Sequence, residues 1–338
     1  MIGVTGLGVY IPEGRLSAAD IADRSGLPEW VVRDKLGVTQ KPVPGPDDHP
    51  TQMGVWAAER ALAQAGVKPD AVDVVISMTE EYKEYPVWTS GIKLAYDVGA
   101  RRAYAYDVGQ KCGTGVLALK QARDLLRADK NVDTVLVAGG YRNGDLIDFR
   151  DPNVRFMYTL GAGGAAAVVL RRAEEAAGHE LLESATLTDG AFSLDVLVPV
   201  GGTVAPLSPD NLDRYKLSVP DPEGMKARLE GVSLQNFLRV VETAVARSGA
   251  EVSDIDYLAA LHMKRSAHDY LLGKLCLKPE QSIYLSDYGH LGQVDQFLSL
   301  TLAERAGKLK PGDLVVLVAA GVGYVWNALC LRWGGVNP

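Results

Sequence analysis

The feature of this sequence that most constrains its fold is a long internal repeat. The first half contains "TQMGVWAAERALAQAGVKPDAVDVVISMTEE" and the second half contains "SLQNFLRVVETAVARSGAEVSDIDYLAALHMKR". Both read as a helix, a glycine stop, a short connector and an apolar strand. Gly66 precedes Asp73 by seven residues, and Gly249 precedes Asp256 by seven. The repeat is too long for a solenoid and predicts two similar halves packed together.

Alternating strands and helices in both halves predict layered α/β units with mainly buried sheets. Each half is expected to continue with a strand, a loop and a helix, "YAYDVGQKCGTG" in one and "SIYLSDYGHLGQ" in the other. Each then closes with two strands joined by a Gly-rich turn. We therefore predict a pseudo-symmetric α/β sandwich with an N-terminal half at 1–172 and a C-terminal half at 173–338.

Two segments have no counterpart in the other half. Residues 141–160 interrupt the first half, and residues 190–230, rich in Pro, Gly and Asp, join the halves. Long irregular insertions on a regular scaffold often form lids or binding walls. A solvated connector is the alternative for residues 205–228.

Charge and cysteine content exclude several classes of protein. The net charge of −7 argues against a nucleic-acid partner. Three cysteines without CxxC spacing argue against a disulfide framework or a metal site. The N-terminus lacks the pattern of a signal peptide, and the longest apolar run is about half the length of a membrane span. We predict a soluble, cytoplasmic protein with no membrane partner.

The repeat places two chemically active side chains at equivalent positions and a third at the end of a preceding strand. Aligning the halves superimposes "QKCGTG" on "YGHLGQ", so that Cys112 matches His290, and His262 ends the strand before. Loops after the carboxyl ends of strands form the binding crevice of α/β sheets. We expect a nucleophilic thiol whose pKa is lowered by the helix N-terminus and an imidazole. A buried filler cysteine is the alternative, and it is the reading we adopt for Cys276 and Cys330.

With these residues assembled, the chain resembles the thiolase superfamily of condensing enzymes, most closely the ketoacyl-acyl-carrier-protein synthase III branch. The similarity lies in "DVGQKCGTG", "LGAGGAAAVVL" and "GKLKPGDLVVLVAAGVGYVWNA". The stretch "LGVTQKPVPGPDDHPTQMGVWAAERAL" is similar instead to archaeal 3-hydroxy-3-methylglutaryl-CoA synthases. The resemblance implies a five-layered αβαβα fold, a homodimer and a place in fatty acid or other lipid metabolism.

The resemblance also implies ping-pong chemistry. Cys112 would take an acyl group from acyl-CoA, and His262 aligns with the branch's histidine. His290 stands where the branch has asparagine, and Arg265 stands where another asparagine is usual. The backbone N–H groups of Cys112 and Val322 would form an oxyanion hole; a tight turn between strands is the structural alternative for the glycines around Val322. Coenzyme A enters as a thioester substrate, with no permanently bound cofactor, and acyl carrier protein is a possible partner.

Other site residues follow from the same resemblance. Glu81 falls where the 3-hydroxy-3-methylglutaryl-CoA synthases carry a catalytic glutamate, although a solvated carboxylate fits its position equally well. Trp30 resembles the residue that stacks on the CoA adenine, with Arg33 or Lys35 near the phosphates. An amphipathic helix with a solvated charged face is the alternative there. Residues Val87 and Trp88 in "YPVWTSG" are expected to line the acyl pocket or a dimer contact.

Four functions fit these residues. The leading hypothesis is a decarboxylating Claisen condensation of the Cys112-bound acyl group with a malonyl-type thioester. An aldol condensation on acetoacetyl-CoA, with Glu81 as acid and base, is the second. Acyl transfer to an alcohol or amine is the third. A catalytically inactive acyl-CoA-binding protein is the fourth, and the intact Cys-His-His set counts against it.

Overall fold

The computed structural model describes residues 2–171 and 178–334. Its strands are β1 (Gly3–Tyr10), β2 (Gly14–Ser17), β3 (Gln40–Val43), β4 (Val74–Met78), β5 (Tyr104–Val108), β6 (Thr134–Tyr141), β7 (Gly163–Leu170), β8 (His179–Thr188), β9 (Ile255–Ala260), β10 (Leu314–Gly321) and β11 (Val325–Arg332). Its α-helices are α1 (Ala18–Ser25), α2 (Pro50–Ala65), α3 (Ser90–Val98), α4 (Thr114–Ala128), α5 (Pro222–Leu229), α6 (Ser233–Arg247), α7 (Arg265–Lys274) and α8 (Asp295–Arg305).

Nine strands form one mixed sheet in the order β5-β4-β6-β7-β1-β8-β11-β10-β9. The two halves of this sheet meet where β1 pairs with β8, and that pairing covers only Gly3 with Glu180 and Val4 with His179. On either side of this seam a parallel pair, β4 with β6 and β9 with β10, is followed by antiparallel strands. The two halves therefore repeat four strands in the same arrangement, and β5 of the first half has no counterpart in the described part of the second.

The helices complete five layers. Helix α4 packs against β4, β6 and β7 of the first half and against β10 and β11 of the second, and α8 likewise contacts both halves. Helices α2 and α3 cover the outer face of the first half, whereas α6 covers that of the second. The central helices approach closely at Gly115 of α4, where an added Cβ would lie 2.9 Å from the Phe297 ring of α8. The predicted αβαβα sandwich is confirmed.

The repeat extends to single hydrogen bonds. Asp73 Oδ2 accepts hydrogen bonds from the backbone N–H groups of Asp133 (2.8 Å) and Thr134 (3.0 Å), at the start of β6. In the second half, Asp256 Oδ2 accepts one from the N–H of Leu314 (2.8 Å), at the start of β10. Each aspartate therefore sets the register of the strand that runs beside its own.

Three expectations about the chain organisation need correction or lie outside the described residues. "SIYL" at 282–285 is not a strand. A side chain takes the place of a backbone hydrogen bond to the neighbouring strand β9, since Ser282 Oγ donates to the Leu258 carbonyl (2.8 Å). Cys276 is exposed, with a φ of 56°, because it lies in the turn that ends α7 and not within the helix. The proposed boundary at 172/173 falls outside the described residues.

The segment 190–230 is both wall and connector. Leu197 and Ser218 exchange backbone hydrogen bonds (3.1 and 2.9 Å), and the Leu217 N–H donates to the Leu146 carbonyl (2.9 Å). These bonds join the segment to the insertion at 141–160. Most of the intervening stretch, 202–214, is exposed. The two irregular segments thus form one continuous layer over the strand ends, with a solvated tip.

Candidate active site

Cys112 lies in the loop between β5 and the first turn of α4, and several contacts fix this loop. Lys111, immediately before it, has a φ of 52°, a left-handed conformation that turns the chain sharply at the cysteine. Thr114 Oγ1 accepts from the Gln110 N–H (2.7 Å) and donates to the Lys111 carbonyl (2.6 Å). Asn327 Nδ2, from β11 of the other half, donates to Gln110 Oε1 (3.0 Å).

A buried carboxylate, Asp295, connects both histidines. His290 Nδ1 donates to Asp295 Oδ2 (2.6 Å), and the same oxygen accepts from the backbone N–H of His262 (2.7 Å). The other oxygen accepts from the Leu291 N–H (2.7 Å). Asp295 is fully buried at the start of α8. Because one carboxylate holds both segments, the two imidazoles are positioned together.

The two histidines carry different charges. Burial lowers the pKa of His262 to about 4, so its ring is neutral, and Nε2–H donates to the Gly37 carbonyl (3.1 Å). Burial also opposes charge on His290, but the adjacent Asp295 carboxylate outweighs it and raises the pKa of His290 well above its usual value. The site therefore combines one neutral imidazole with one imidazolium.

The expectation of a lowered thiol pKa is wrong. Burial raises the pKa of Cys112 above its ordinary value, and the nearby His290 offsets this only in part. The helix N-terminus and imidazole act as the sequence predicted, but removing the thiolate from water costs more. Cys112 therefore rests as a neutral thiol and loses its proton as it attacks.

The side chains of Cys112, His262 and His290 line one cavity of about 800 Å³, whose walls are mainly apolar. Val322 lines it too, from the turn between β10 and β11. A Cβ on Gly321, the last residue of β10, would lie 2.6 Å from the Gln110 carbonyl oxygen and 3.1 Å from the Cys112 nitrogen, so glycine is needed for this approach to the nucleophile loop. The oxyanion hole formed by the N–H groups of Cys112 and Val322 remains a prediction.

Two adjacent glutamates occupy different surroundings. Glu81 has a side chain 77% exposed and pairs with Lys111, also on the cavity lining. Glu80 is 5% exposed and lines the same cavity. Burial raises the pKa of Glu80 to about 7. Glu80 is therefore the glutamate whose pKa suits a general acid or base at neutral pH. The role predicted for Glu81 remains untested.

The predicted CoA-binding residues lie on the surface beside the cavity. Trp30 is half-exposed, and the helical segment that follows it, Val31–Leu36, ends at the cavity lining. Arg33 is exposed and pairs with Glu29 (3.3 Å), and Lys35 is exposed. On α7, Arg265 is exposed next to Lys264, which lines the cavity.

Val87 and Trp88 do not line the cavity of their own chain. Val87 is fully exposed with a φ of 52°, and Trp88 is half-buried, with the Lys83 ammonium 5.9 Å from its ring. A dimer contact, the other expectation for these residues, stays a prediction.

Sequence reasoning missed Asp295 and Glu80. An aspartate in the first turn of a helix is typical of an N-terminal charge, and nothing in its type shows that it is buried. Its signal was its position five residues after His290, ahead of the apolar run "FLSL". For Glu80 no signal distinguishes it from Glu81, because a one-residue shift at a strand end changes the side that the side chain faces.

Comparisons with known proteins identify the family that has this fold and this site. The fold and the cysteine-histidine site define a thiolase-superfamily condensing enzyme. The sequence model of the 3-oxoacyl-[acyl-carrier-protein] synthase III family matches residues 106–190, and that of its C-terminal part matches residues 245–333. The chain belongs to this family, and it is an acyltransferase of the β-ketoacyl synthase III-like class.

Relatives match over the full chain. A β-ketoacyl-[acyl-carrier-protein] synthase III of Symbiobacterium thermophilum is 29% identical over 336 residues, which is 98% of each chain. The synthase III structure of Thermus thermophilus superimposes with a TM-score of 0.84 at 25% identity, covering 99% of this chain and 100% of that one. The synthase III of Aquifex aeolicus, at 20% identity, has a TM-score of 0.85 over 98% and 100% and supports the fold. Within residues 2–171 and 178–334, no helix has the length and apolar character to cross a membrane.

Proposed function

We propose that this protein transfers an acyl group from acyl-CoA to Cys112 and joins it by Claisen condensation to a malonyl-type thioester. The convergence of Cys112, His262 and His290 in one cavity supports this most directly. The full-length similarity to β-ketoacyl-[acyl-carrier-protein] synthases III supports malonyl-acyl carrier protein as the second substrate. Coenzyme A is then a released product, and no bound cofactor takes part.

The first half-reaction is acylation. The Cys112 sulfur attacks the thioester carbonyl, its proton passes through the site to the departing CoA sulfur, and the C–S bond to CoA breaks. The oxyanion of the tetrahedral intermediate lies by the proposed Cys112 and Val322 N–H groups. Because His290 is protonated at rest and Cys112 is a neutral thiol, His290 gives its proton to the departing CoA sulfur and takes the Cys112 proton in its place, which restores the imidazolium.

The second half-reaction is decarboxylative condensation. The malonyl group loses CO2, and the carbanion formed attacks the Cys112 thioester, which releases the thiolate. The developing enolate oxygen needs donors, and the two histidines differ in what they offer. His290 supplies a full positive charge, and the neutral His262 supplies an N–H once its bond to Gly37 is exchanged for the substrate.

CoA is proposed to bind across the Trp30 segment and the start of α7. Trp30 provides an exposed aromatic face, and Arg33, Lys35 and Arg265 provide cations for the phosphates. The path from this surface to the site is short, because Leu36 lines the cavity and the Gly37 carbonyl contacts His262.

Intact mass spectrometry tests the proposal. Incubation with acyl-CoA should add one acyl group to the protein, and malonyl-acyl carrier protein should remove it with release of CO2. Cys112→Ala should lose the adduct and lower condensation by at least about a thousandfold, because the covalent intermediate disappears. Cys276→Ala, at an exposed thiol away from the cavity, is the matched control and should react normally. An adduct that survives in Cys112→Ala contradicts the proposal.

One observation favours a second function, aldol condensation on acetoacetyl-CoA. Addition of a carbanion to a ketone forms an alkoxide, which needs a proton donor that a Claisen condensation does not. Glu80, buried in the cavity with a pKa of about 7, is partly protonated at neutral pH and fits that need. For this second function we propose Glu80 as the proton donor, beside the untested expectation for Glu81.

Glu80→Gln tests this second function. If aldol addition occurs, the substitution should lower formation of the aldol product by about a hundredfold and leave Cys112 acylation intact. Glu81→Gln is the matched control and should change the rate little, since that carboxylate is exposed. A wild-type protein that discharges its acyl group only to malonyl thioesters contradicts the aldol function.

A further inference from the structure

The cavity is larger and more apolar than the transfer of a two-carbon group requires. Its volume of about 800 Å³ lies at the upper end of the range for small-molecule sites. Its lining includes Lys264, which is exposed just before α7, and the half-exposed Ala267 on α7. It also includes residues that are almost entirely buried, among them Leu146 and Val200.

Part of the cavity lining comes from the two irregular segments, 141–160 and 190–230. We call it the acyl chamber and define it by Leu146, Met157, Leu160, Val198, Val200 and Leu217. All six side chains are aliphatic or thioether groups. The walls are held in place, because the Leu217 N–H donates to the Leu146 carbonyl and Lys216 Nζ donates to the Asp145 carbonyl (3.0 Å). The chamber is therefore a built part of the fold.

Volume indicates the size of the group that fits. At about 30 Å³ per water-sized group, 800 Å³ holds about 27 non-hydrogen groups. The pantetheine arm that delivers an acyl group to Cys112 takes up about 18 of them, which leaves about nine. An acetyl group would leave most of this space empty, whereas an eight-carbon acyl group would fill it.

We propose that the acyl chamber selects a medium-chain acyl group of about eight carbons over acetyl as the group loaded on Cys112. This inference rests on the proposed function, since it names the substrate class of the same site. Each methylene that leaves water for an apolar wall favours binding by about fourfold. Selection therefore rises with chain length until the chamber is full.

The test measures the rate constant of Cys112 acylation by intact mass spectrometry with acetyl-, butyryl-, octanoyl- and hexadecanoyl-CoA. We expect octanoyl-CoA to react at least about a hundredfold faster than acetyl-CoA at low concentration. The rate should fall again with hexadecanoyl-CoA, which exceeds the chamber. Equal or faster reaction of acetyl-CoA overturns the inference.

Variants that narrow the acyl chamber test whether its walls determine the acyl chain length. Val198→Trp and Leu217→Trp should lower the ratio of the octanoyl rate to the acetyl rate at least about tenfold. Val204→Trp is the matched control, because Val204 lies in the same segment but is fully exposed and outside the cavity. An unchanged ratio in both narrowed variants overturns the assignment of the walls.

The outcomes separate this inference from the function on which it rests. Acylation by acetyl-CoA alone leaves the proposed function standing and overturns the chamber. No acylation by any of the four thioesters overturns the proposed function itself. The length profile of the unmodified protein decides the inference even where a variant fails to fold.

Discussion

At the scale of single residues, Asp295 organises the site although it does not contact the nucleophile. Its carboxylate keeps the His290 ring protonated and accepts a hydrogen bond from the backbone N–H of His262. The imidazolium of His290 in turn lowers the pKa of Cys112 more than the repulsion from Asp295 raises it. Asp295 is thus a positioning residue whose effect reaches the thiol through His290.

Asp295→Asn should reduce the reactivity of Cys112 and move its pH dependence upward. Without the carboxylate, burial lowers the pKa of His290, and the ring becomes neutral at a lower pH. Cys112 then loses its positive neighbour, and the pKa of its thiol rises further. Alkylation of Cys112 by iodoacetamide at pH 7 should fall at least about tenfold, and the midpoint of its pH profile should move to higher pH.

The protein provides an internal control for this experiment. Cys276 is exposed and lies outside the cavity, so its alkylation rate should not respond to Asp295. Asparagine keeps a carbonyl oxygen to accept from the Leu291 or His262 N–H, so the local backbone is preserved. An unchanged midpoint for Cys112 would show that Asp295 only holds the loop and does not set the charge of His290.

At the scale of elements, the repeat was the most informative signal in the sequence. It predicted the matching of α2 with α6, of β4 with β9 and of the loops that carry Cys112 and His290, and these pairs occupy equivalent places. Periodicity succeeds here because long amphipathic helices and buried strands are determined locally. The apolar face of α6, with Phe237 and Val241, is buried as expected.

The same reasoning failed where side chains depend on distant partners. "SIYL" has the composition of a strand, but Ser282 and Gln281 bond to backbone carbonyls near β9 in place of a ladder. The thiol pKa was predicted from the helix N-terminus and an imidazole, whereas burial in a cavity shared by both halves decides its direction. Asp295 was missed in part because one of its two histidine partners, His262, lies 33 residues earlier in the chain.

At the scale of the whole molecule, the five-layered arrangement explains why the site is at the centre. Helices α4 and α8 lie between the two halves of the sheet, and each begins beside a reactive residue, Cys112 or His290. Neither half has a complete site alone. The nucleophile loop is bonded to Asn327 of the other half, so acyl transfer depends on the packing of the two halves.

One edge of the sheet is suited to a second copy of the chain. Strand β5 ends the strand order and has no partner on its outer side in the described chain. Five apolar or aromatic side chains near this edge are more than half exposed: Tyr85, Val87, Ile92, Tyr96 and Tyr104. An unprotected edge beside such a patch favours association, and a twofold dimer is the commonest closed form.

Disrupting this patch tests the homodimer that the family resemblance implies. Light scattering coupled to size exclusion should give twice the 36.2 kDa chain mass for the unmodified protein. The double substitution Ile92→Asp and Tyr96→Asp should give the single-chain mass, since buried unpaired carboxylates oppose association. Tyr270→Asp, at an exposed aromatic on α7, should remain dimeric. A dimer that persists in the double variant would place the interface elsewhere, because both changed side chains lie on the exposed face of α3 next to the β5 edge.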